Sequence, residues 1–199
     1  MTRPALAHGL GLMLNLALGA GAFGQTLTAG EDIGGSSSNR LDLIGEAPQA
    51  CVLSAPLVTA VTNASFQPIN GQTGTILVTQ FVDPLTAAPL AATVNLAFPV
   101  VCNGAHEVTI RTANGGLAHI PPIAIPGLGF RALLVYQLTA AWAGQTATGA
   151  TNLPTPVDIH TNDGAAGQLS LVVNIPGGGD PLVAGPYSDS LVIELLPAN

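Results

Sequence analysis

The residues whose types could do chemistry are few and scattered. Three of the four histidines, His106, His119 and His160, follow no His-x-His or helical spacing that would make a metal site. The densest polar cluster is segment 158–163, Asp-Ile-His-Thr-Asn-Asp, which lacks the regular oxygen-ligand spacing of a calcium loop. We expect a solvated loop there, with a calcium or transition-metal site as the alternative. The sequence thus predicts no bound metal and no cofactor.

The glycine-rich segment 176–181, Pro-Gly-Gly-Gly-Asp-Pro, invites comparison with a phosphate-binding loop. No Gly-Lys-Ser follows it and no helix is predicted to start there, so a hairpin or loop is expected instead. The chain also lacks a Gly-x-Ser-x-Gly motif and any grouping of acid, base and nucleophile. We predict that it has no catalytic residues and is not an enzyme. An exported hydrolase is the third hypothesis for its function.

The N-terminus has the pattern of an export signal. Residues 1–24 begin Met-Thr-Arg, continue rich in leucine, alanine and glycine, and contain no acidic residue. Small residues at Ala22 and Gly24 place cleavage before Gln25, and glycines together with His8 argue against the alternative of an uncleaved membrane anchor. Residues 25–47 are polar and Gly/Ser-rich and are predicted to form an arm. After signal removal we expect no membrane span.

Cys51 and Cys102 are the only cysteines. An even number of cysteines in an exported chain predicts one disulfide, and two free buried thiols are the alternative. Closing a loop of roughly 50 residues would stabilise the fold by ~4 kcal/mol in the chain-entropy model.

Composition excludes two classes of partner. Charged residues make up 8% of the chain, hydrophobic residues 48%, and the formal net charge is −7, with four arginines and no lysine. No basic stripe could neutralise a row of phosphates, so we expect neither nucleic acid nor anionic lipid as a partner. The apolar content is high enough to build a core, which argues against disorder.

Strand-like runs separated by turn signals predict an all-β fold. The turn dipeptides are Asn-Gly at 70–71, 103–104 and 114–115, and no amphipathic helix is predicted. About seven strands would suit an immunoglobulin-like β-sandwich. The predicted strands are 51–62, 75–82, 91–102, 106–112, 133–142, 168–175 and 190–196.

The last predicted strand leaves little sequence for another. Leu191, Ile193 and Leu195 share one face of it, and only three residues follow position 196. An immunoglobulin-like sandwich would then keep an apolar groove and an unpaired edge, which is an aggregation hazard unless another chain supplies a strand.

Segments 133–138, 142–144 and 184–193 resemble the spore coat protein U domain family, which includes the pilins of archaic chaperone-usher pili. The family pattern has a cysteine near the domain start and a second at the end of an early strand. A central Tyr-x-Leu strand with tryptophan and glycine follows, and then a closing Gly-x-Tyr-x-Asp strand. The matching residues are Cys51, Cys102, Tyr136, Leu138, Trp142, Gly144, Gly185, Tyr187 and Asp189.

This resemblance implies that residues 48–199 form an incomplete sandwich. A periplasmic chaperone would hold it, an outer-membrane usher would export it, and the N-terminal strand of a neighbouring copy or related subunit would complete it. Leu41 and Leu43 would be the best plugs of that donor strand, with Ala47 on the same face and segment 26–33 as a second candidate.

The predicted function is a structural subunit of a secreted bacterial surface fibre with a role in adhesion or biofilm formation. The alternative is a monomeric secreted carbohydrate- or surface-binding module, or a spore-coat component, with a complete sandwich. Tyr136, Trp142 and Tyr187 could form an aromatic platform for sugar, although core packing is the simpler interpretation.

Overall fold

The computed structural model of the chain describes residues 42–124 and 127–198. Within these residues there are fourteen β-strands and no helix, and so no helix that could cross a bilayer. Residues 46–199 form one compact unit, and Asp42 to Gly45 belong to a separate N-terminal unit. The strands are β1 Cys51–Leu53, β2 Leu57–Thr62, β3 Ala64–Pro68, β4 Gly74–Val78, β5 Ala92–Cys102, β6 His106–Thr112, β7 Leu117–His119, β8 Leu133–Leu134, β9 Gln137–Trp142, β10 Gln145–Ala150, β11 Val157–Thr161, β12 Ala165–Ile175, β13 Tyr187–Ser188 and β14 Leu191–Pro197.

The larger sheet has β5 and β12 at its centre. These two strands of 11 residues each pair antiparallel along their whole length. The order is β1-β5-β12-β9-β10, and β2 pairs with β5 on the same side as β1. Alternation places one apolar face inward, so that Leu96 on β5, Leu171 on β12 and Ala140 on β9 form a buried cross-strand row.

The smaller sheet has the order β11-β6-β14, all antiparallel. Its core face carries Val108 and Ile110 of β6 with Val157 and Ile159 of β11, all buried in the same cluster as the inward residues of the larger sheet. Burying one apolar face of each sheet in a shared core is the arrangement of a β-sandwich. The predicted all-β, sandwich-like fold is therefore confirmed.

Two further elements lie beside this core. β7 pairs with both β8 and β13, and β3 pairs with β4 as a hairpin. The hairpin turns at the predicted Asn-Gly site, where the Asn70 side chain accepts hydrogen bonds from the main-chain N–H groups of Gln72 and Thr73. Phe66, Ile76 and Val78 of the hairpin pack against the core and are only partly buried.

The main error of the sequence prediction concerns segment 158–163, for which we expected a solvated loop. Residues up to Thr161 belong to β11 instead. Val157 and Ile159 point into the core, while Asp158 and His160 point outward, so the polar residues are one face of an alternating strand. Only the end of the segment lies outside the strand.

Most of the other predicted strands are present, with changed ends. Run 51–62 is divided into β1 and β2 at Pro56, and run 133–142 is divided into β8 and β9. The short strands β3, β7, β10, β11 and β13 were not predicted. β7 and β13 are very short and pair with segments distant in sequence, whereas β3 and β11 have a local alternating pattern.

Candidate functional site: an open strand edge beside an apolar groove

The clearest binding feature is the edge of β14. Within the described residues β14 pairs with β6 alone. The N–H of Ala198 and the C=O of Ser190 bond toward β6, at Ala105 and Ala113 respectively. Because hydrogen-bonding direction alternates along an antiparallel strand, the main-chain groups of Leu191, Ile193 and Leu195 point away from β6. This edge can accept another strand.

An apolar groove of about 400 Å³ runs along this edge. One wall is formed by Leu191 and Ile193 of β14, and the other by Phe66 and Ile76 of the β3–β4 hairpin. The floor consists of inward side chains of the larger sheet. The floor residues are Leu96, Phe98, Leu171, Val173 and Ile175.

The edge strand of the larger sheet is also poorly covered. β2 pairs only with β5 among the described residues, and all six of its residues are exposed. Val58 and Val61 lie opposite the buried Leu96 and Val94, yet they are 43% and 44% exposed. Val58 and Val61 therefore point to the same side of the sheet as core residues and yet remain accessible to a partner.

Asp189 fixes the start of β14. Its Oδ1 accepts the main-chain N–H groups of Asn114 and Ser190, at 2.9 Å and 2.8 Å. Its Oδ2 accepts the N–H of Gly116 at 3.1 Å and the hydroxyl of Tyr136 at 2.9 Å. One carboxylate therefore joins the turn after β6, the strand β9 region and the entry to β14, which sets the position of the groove wall.

Burial raises the pKa of Tyr136 well above its ordinary value, and the negative charge and hydrogen bond of Asp189 raise it further. The hydroxyl is therefore a hydrogen-bond donor to Asp189 at physiological pH. Tyr136 lines the groove at the end next to Asp189 but is itself buried.

Tyr187 begins strand β13, and Gly185 lies two residues before it. The Tyr187 hydroxyl lies 2.9 Å from the Val183 carbonyl oxygen and 3.0 Å from that of Arg131. Its ring packs edge-on against His119, with centroids 5.2 Å apart. Gly185 has φ of 146°, and a Cβ there would overlap the His119 ring, so both backbone conformation and space require glycine.

Trp142 and Leu138 of β9 are buried at 3% and 2% exposure, away from any surface where sugar could stack. The Tyr136, Trp142 and Tyr187 rings make no shared exposed platform: Tyr136 and Trp142 are core residues, and only Tyr187 is partly accessible. Gly144, with φ of 79°, follows Ala143 at φ of 50° in the two-residue turn between β9 and β10. Two positive φ angles define a type I′ hairpin turn, for which Gly is suited.

The predicted disulfide is confirmed. Cys51 of β1 and Cys102 of β5 are directly opposed in register and bonded through sulfur, with a Cα–Cα distance of 4.2 Å. This bond attaches the short strand β1 to the centre of the larger sheet. His106 brings a third potential metal ligand near the two sulfurs, with ligand atoms within 4.8 Å of one another.

The bonding of these three residues leaves no ligand free for a metal. Both sulfurs are in the disulfide. Trp142 Nε1 donates to Nε2 of His106 at 2.7 Å, and Nδ1 lies 2.8 Å from the Gly104 carbonyl oxygen. Since indole only donates and a carbonyl only accepts, the hydrogen bonds assign the neutral Nδ1–H tautomer. His106 and Trp142 thus form a buried structural pair.

The remaining candidate polar residues are spread over different faces. His160 is exposed on β11, with Nδ1 3.7 Å from a carboxylate oxygen of Glu107. The glycine-rich segment 176–181 is a loop, as predicted, and the Arg131 guanidinium donates to the carbonyl oxygens of Gly178 and Asp180. A depression of about 530 Å³ near Arg111 is lined in part by segment 151–156. None of these groupings places a base beside a nucleophile.

The donor-strand candidates lie at the edge of the described residues. Leu41 and segment 26–33 lie outside them. Leu43 and Ala47 are exposed and belong to no strand. The structure brings together Tyr136, Asp189, Leu191 and Ile193 at the groove, and Leu195 continues their row along β14.

Sequence reasoning missed the hairpin that forms the second wall. Its signal was present: Asn-Gly at 70–71 lies between Phe66 and Ile76, residues 64–67 alternate apolar and polar, and residues 76–78 are an apolar run. Sequence reasoning also missed that the Asp189 carboxylate accepts four hydrogen bonds, because its partners at positions 114, 116 and 136 are distant in sequence. No known family model matches the chain, and no curated protein matches it.

Proposed function

We propose that this protein is a structural subunit of a secreted bacterial surface fibre, in which each copy inserts an N-terminal strand into the groove of the next. The observation that carries the proposal is the edge of β14 beside an apolar groove, which no strand of residues 42–124 or 127–198 pairs with. An inserted strand would gain main-chain hydrogen bonds from Leu191, Ile193 and Leu195, and its alternate side chains would fill the groove.

The chemistry of the proposed donor fits this groove. Leu41 and Leu43 are two residues apart and would project to the same side of an extended strand, as the groove requires. Each copy would give one arm and receive one, which produces a head-to-tail contact and an open fibre. The partners would be neighbouring copies or related subunits, a periplasmic chaperone that covers the groove before assembly, and an outer-membrane usher.

Export is consistent with two features of the chain. Residues 1–24 have the signal-peptide pattern. The Cys51–Cys102 disulfide is typical of proteins that fold in an oxidising compartment such as the periplasm. The proposed location is therefore the cell surface, reached through the periplasm, with a role in adhesion or biofilm formation.

A second candidate is a monomeric secreted binding module whose sandwich closes itself. The β3–β4 hairpin favours it, because Phe66 and Ile76 already cover part of the floor next to β14. In that case the hairpin would serve as the cover, and no arm from another copy would be needed.

The test is assembly of the mature chain purified from periplasm, run on denaturing gels without boiling. Strand exchange predicts ladders of heat-sensitive multimers, and deletion of residues 25–47 should abolish the ladders while chaperone binding remains. A stable monomer that binds no chaperone, or ladders formed without the arm, would contradict the proposal.

A matched pair of substitutions locates the contact at the groove. Ile193→Lys places a charge inside the groove, whereas Val192→Lys places one on the outer face of the same strand, where the residue is 50% exposed. We expect only Ile193→Lys to block multimers. A melting curve for each variant separates loss of assembly from loss of folding. If both variants block multimers equally, the contact between copies is not at the groove.

A further inference from the structure

The two outer faces of the sandwich differ in charge. The outer face of the smaller sheet carries five ionisable residues on three strands: Glu107, Arg111, Asp158, His160 and Glu194. Charged residues ordinarily make up about a quarter or more of the surface residues of a soluble domain, so the charge content of this face is typical.

The outer face of the larger sheet has no ionisable residue over the paired segments of β2, β5, β12, β9 and β10. A row across its centre consists of Asn95, Val172, Thr139 and Thr148, in register on four neighbouring strands. The two adjacent rows contain only Leu, Ala, Ser, Thr, Asn and Gln. The inward neighbours Leu96 and Leu171 are buried, which places these rows on the outside.

We propose that this uncharged face is a contact surface for the same face of a second copy of the chain. The argument is electrostatic: the chain has a formal net charge of −7, and two copies repel wherever their acidic residues meet. The uncharged face is the sheet surface on which two such chains can approach without placing carboxylates together. Its small side chains also permit close stacking of two sheets, at about 10 Å.

The size of the face indicates a weak contact. Five strands spaced about 4.8 Å apart and about 20 Å of strand length give roughly 500 Å² per copy. This is below the ~800 Å² per partner of a standard stable interface. A single pair of copies would therefore exchange rapidly, whereas repetition of the contact along two parallel fibres would hold them side by side. That last step rests on the proposed fibre; the pairwise contact does not.

Ser170 tests the contact because it is exposed on the central strand β12, in register with Ala97 and Ala141. Ser170→Glu and Ser170→Arg should each raise the concentration needed for self-association by about tenfold or more, since like charges would meet across the interface. An equal mixture of the two variants should associate at least as well as the unsubstituted chain. Thr155→Glu, at an exposed position after β10, is the matched control and should have no effect.

The measurements are sedimentation velocity of the mature chain over a concentration series and, where fibres form, bundle width by electron microscopy. Added salt should strengthen the association, because it screens the remaining repulsion between the acidic chains. Ser170→Glu should leave the unboiled gel ladder unchanged, because that ladder reports strand exchange alone. If the Ser170 substitutions weaken self-association as expected but no gel ladders form, only the proposed fibre is overturned. The proposed contact is overturned if Ser170→Glu self-associates as strongly as the unsubstituted chain. It is also overturned if the mixture of Ser170→Glu and Ser170→Arg does not recover association.

Discussion

The two sides of the sandwich are built from the same pattern of alternating residues, but their edge strands are connected and covered differently. On one side, which we call the closed side, β10 and β11 are consecutive in sequence, and the Gln145 side chain donates to the carbonyl oxygen of His160 at 2.6 Å. On the other, the open side, β2 and β14 pair on one edge only within the described residues, as β10 and β11 also do, but they are not consecutive in sequence and an apolar groove lies beside β14.

Burial follows this difference. Leu138 and Ile159, the inward residues near the closed side, are 2% and 3% exposed. Leu191, Ile193 and Leu195 of β14 have the same alternation and are only partly buried. Alternation thus decides which way a side chain points, whereas full burial also requires a strand or connection that covers the edge.

The largest expected effect comes from the disulfide. Replacing Cys51 and Cys102 by Ala should lower the free energy of unfolding by ~4 kcal/mol, because the bond closes a sequence separation of 51 residues. Hydrogen exchange should show greater loss of protection in β1 and β14 than in β9 and β10, since β1 lies on the open side. Urea denaturation measures the total, and a uniform loss over both sides would show that the disulfide does not support the open side selectively.

A pair of core substitutions measures how differently the closed and open sides are buried. Leu138→Ala should cost about 2–5 kcal/mol, as expected for a fully buried leucine. Ile193→Ala should cost about half as much in the monomer, since part of its side chain is already in water. Urea denaturation of both variants checks this. If the two costs were equal, the open side would be as well covered in solution as the closed side.

The sequence could predict the parts of the fold that depend on local pattern. The alternation in β5, β6 and β14 and the three Asn-Gly turns are local, and the disulfide follows from two cysteines together with the predicted export signal. The prediction of a loop at β11 is wrong because Asp158 and His160 are the outward residues of an alternating strand, and a short run with so many polar residues resembles a solvated loop in sequence.

The candidate site was less accessible to sequence reasoning. Leu191 and Ile193 were identified from their shared face, but the opposite wall, Phe66 and Ile76, depends on where a short hairpin lies in three dimensions. Asp189 gathers donors from positions between 114 and 190, and no spacing rule predicts such a set. Contacts of this kind are decided by tertiary packing.

A smaller effect is expected from the hydrogen bond that joins β14 to the β9 region. Tyr136→Phe removes the hydroxyl donor to Asp189 and should cost about 1.5–3 kcal/mol, the range for hydrogen bonds to charged groups. Tyr187→Phe is the matched control and should cost about 1 kcal/mol, since its acceptors are neutral carbonyls. Equal costs in urea denaturation would mean that Asp189 gives the open side no special support.

The smallest effect is a dependence on alkaline pH. Burial raises the pKa of both Tyr136 and Tyr187, with the Asp189 charge adding to the rise at Tyr136. The folded chain therefore keeps protons that the unfolded chain releases above about pH 10, so the free energy of unfolding is unaffected below that pH and falls above it.

The slope of this fall is at most about 1.4 kcal/mol per pH unit for each tyrosine. Because the chain has only two tyrosines, ultraviolet absorbance of tyrosinate reports them without interference from others. Tyr136→Phe should remove the larger share of the slope, and Tyr187→Phe the smaller, because Tyr136 is buried beside a carboxylate and Tyr187 is partly exposed. A wild-type stability that stays constant through this range would show that the Tyr136 hydroxyl reaches water, and hence that the groove end at Asp189 opens in solution.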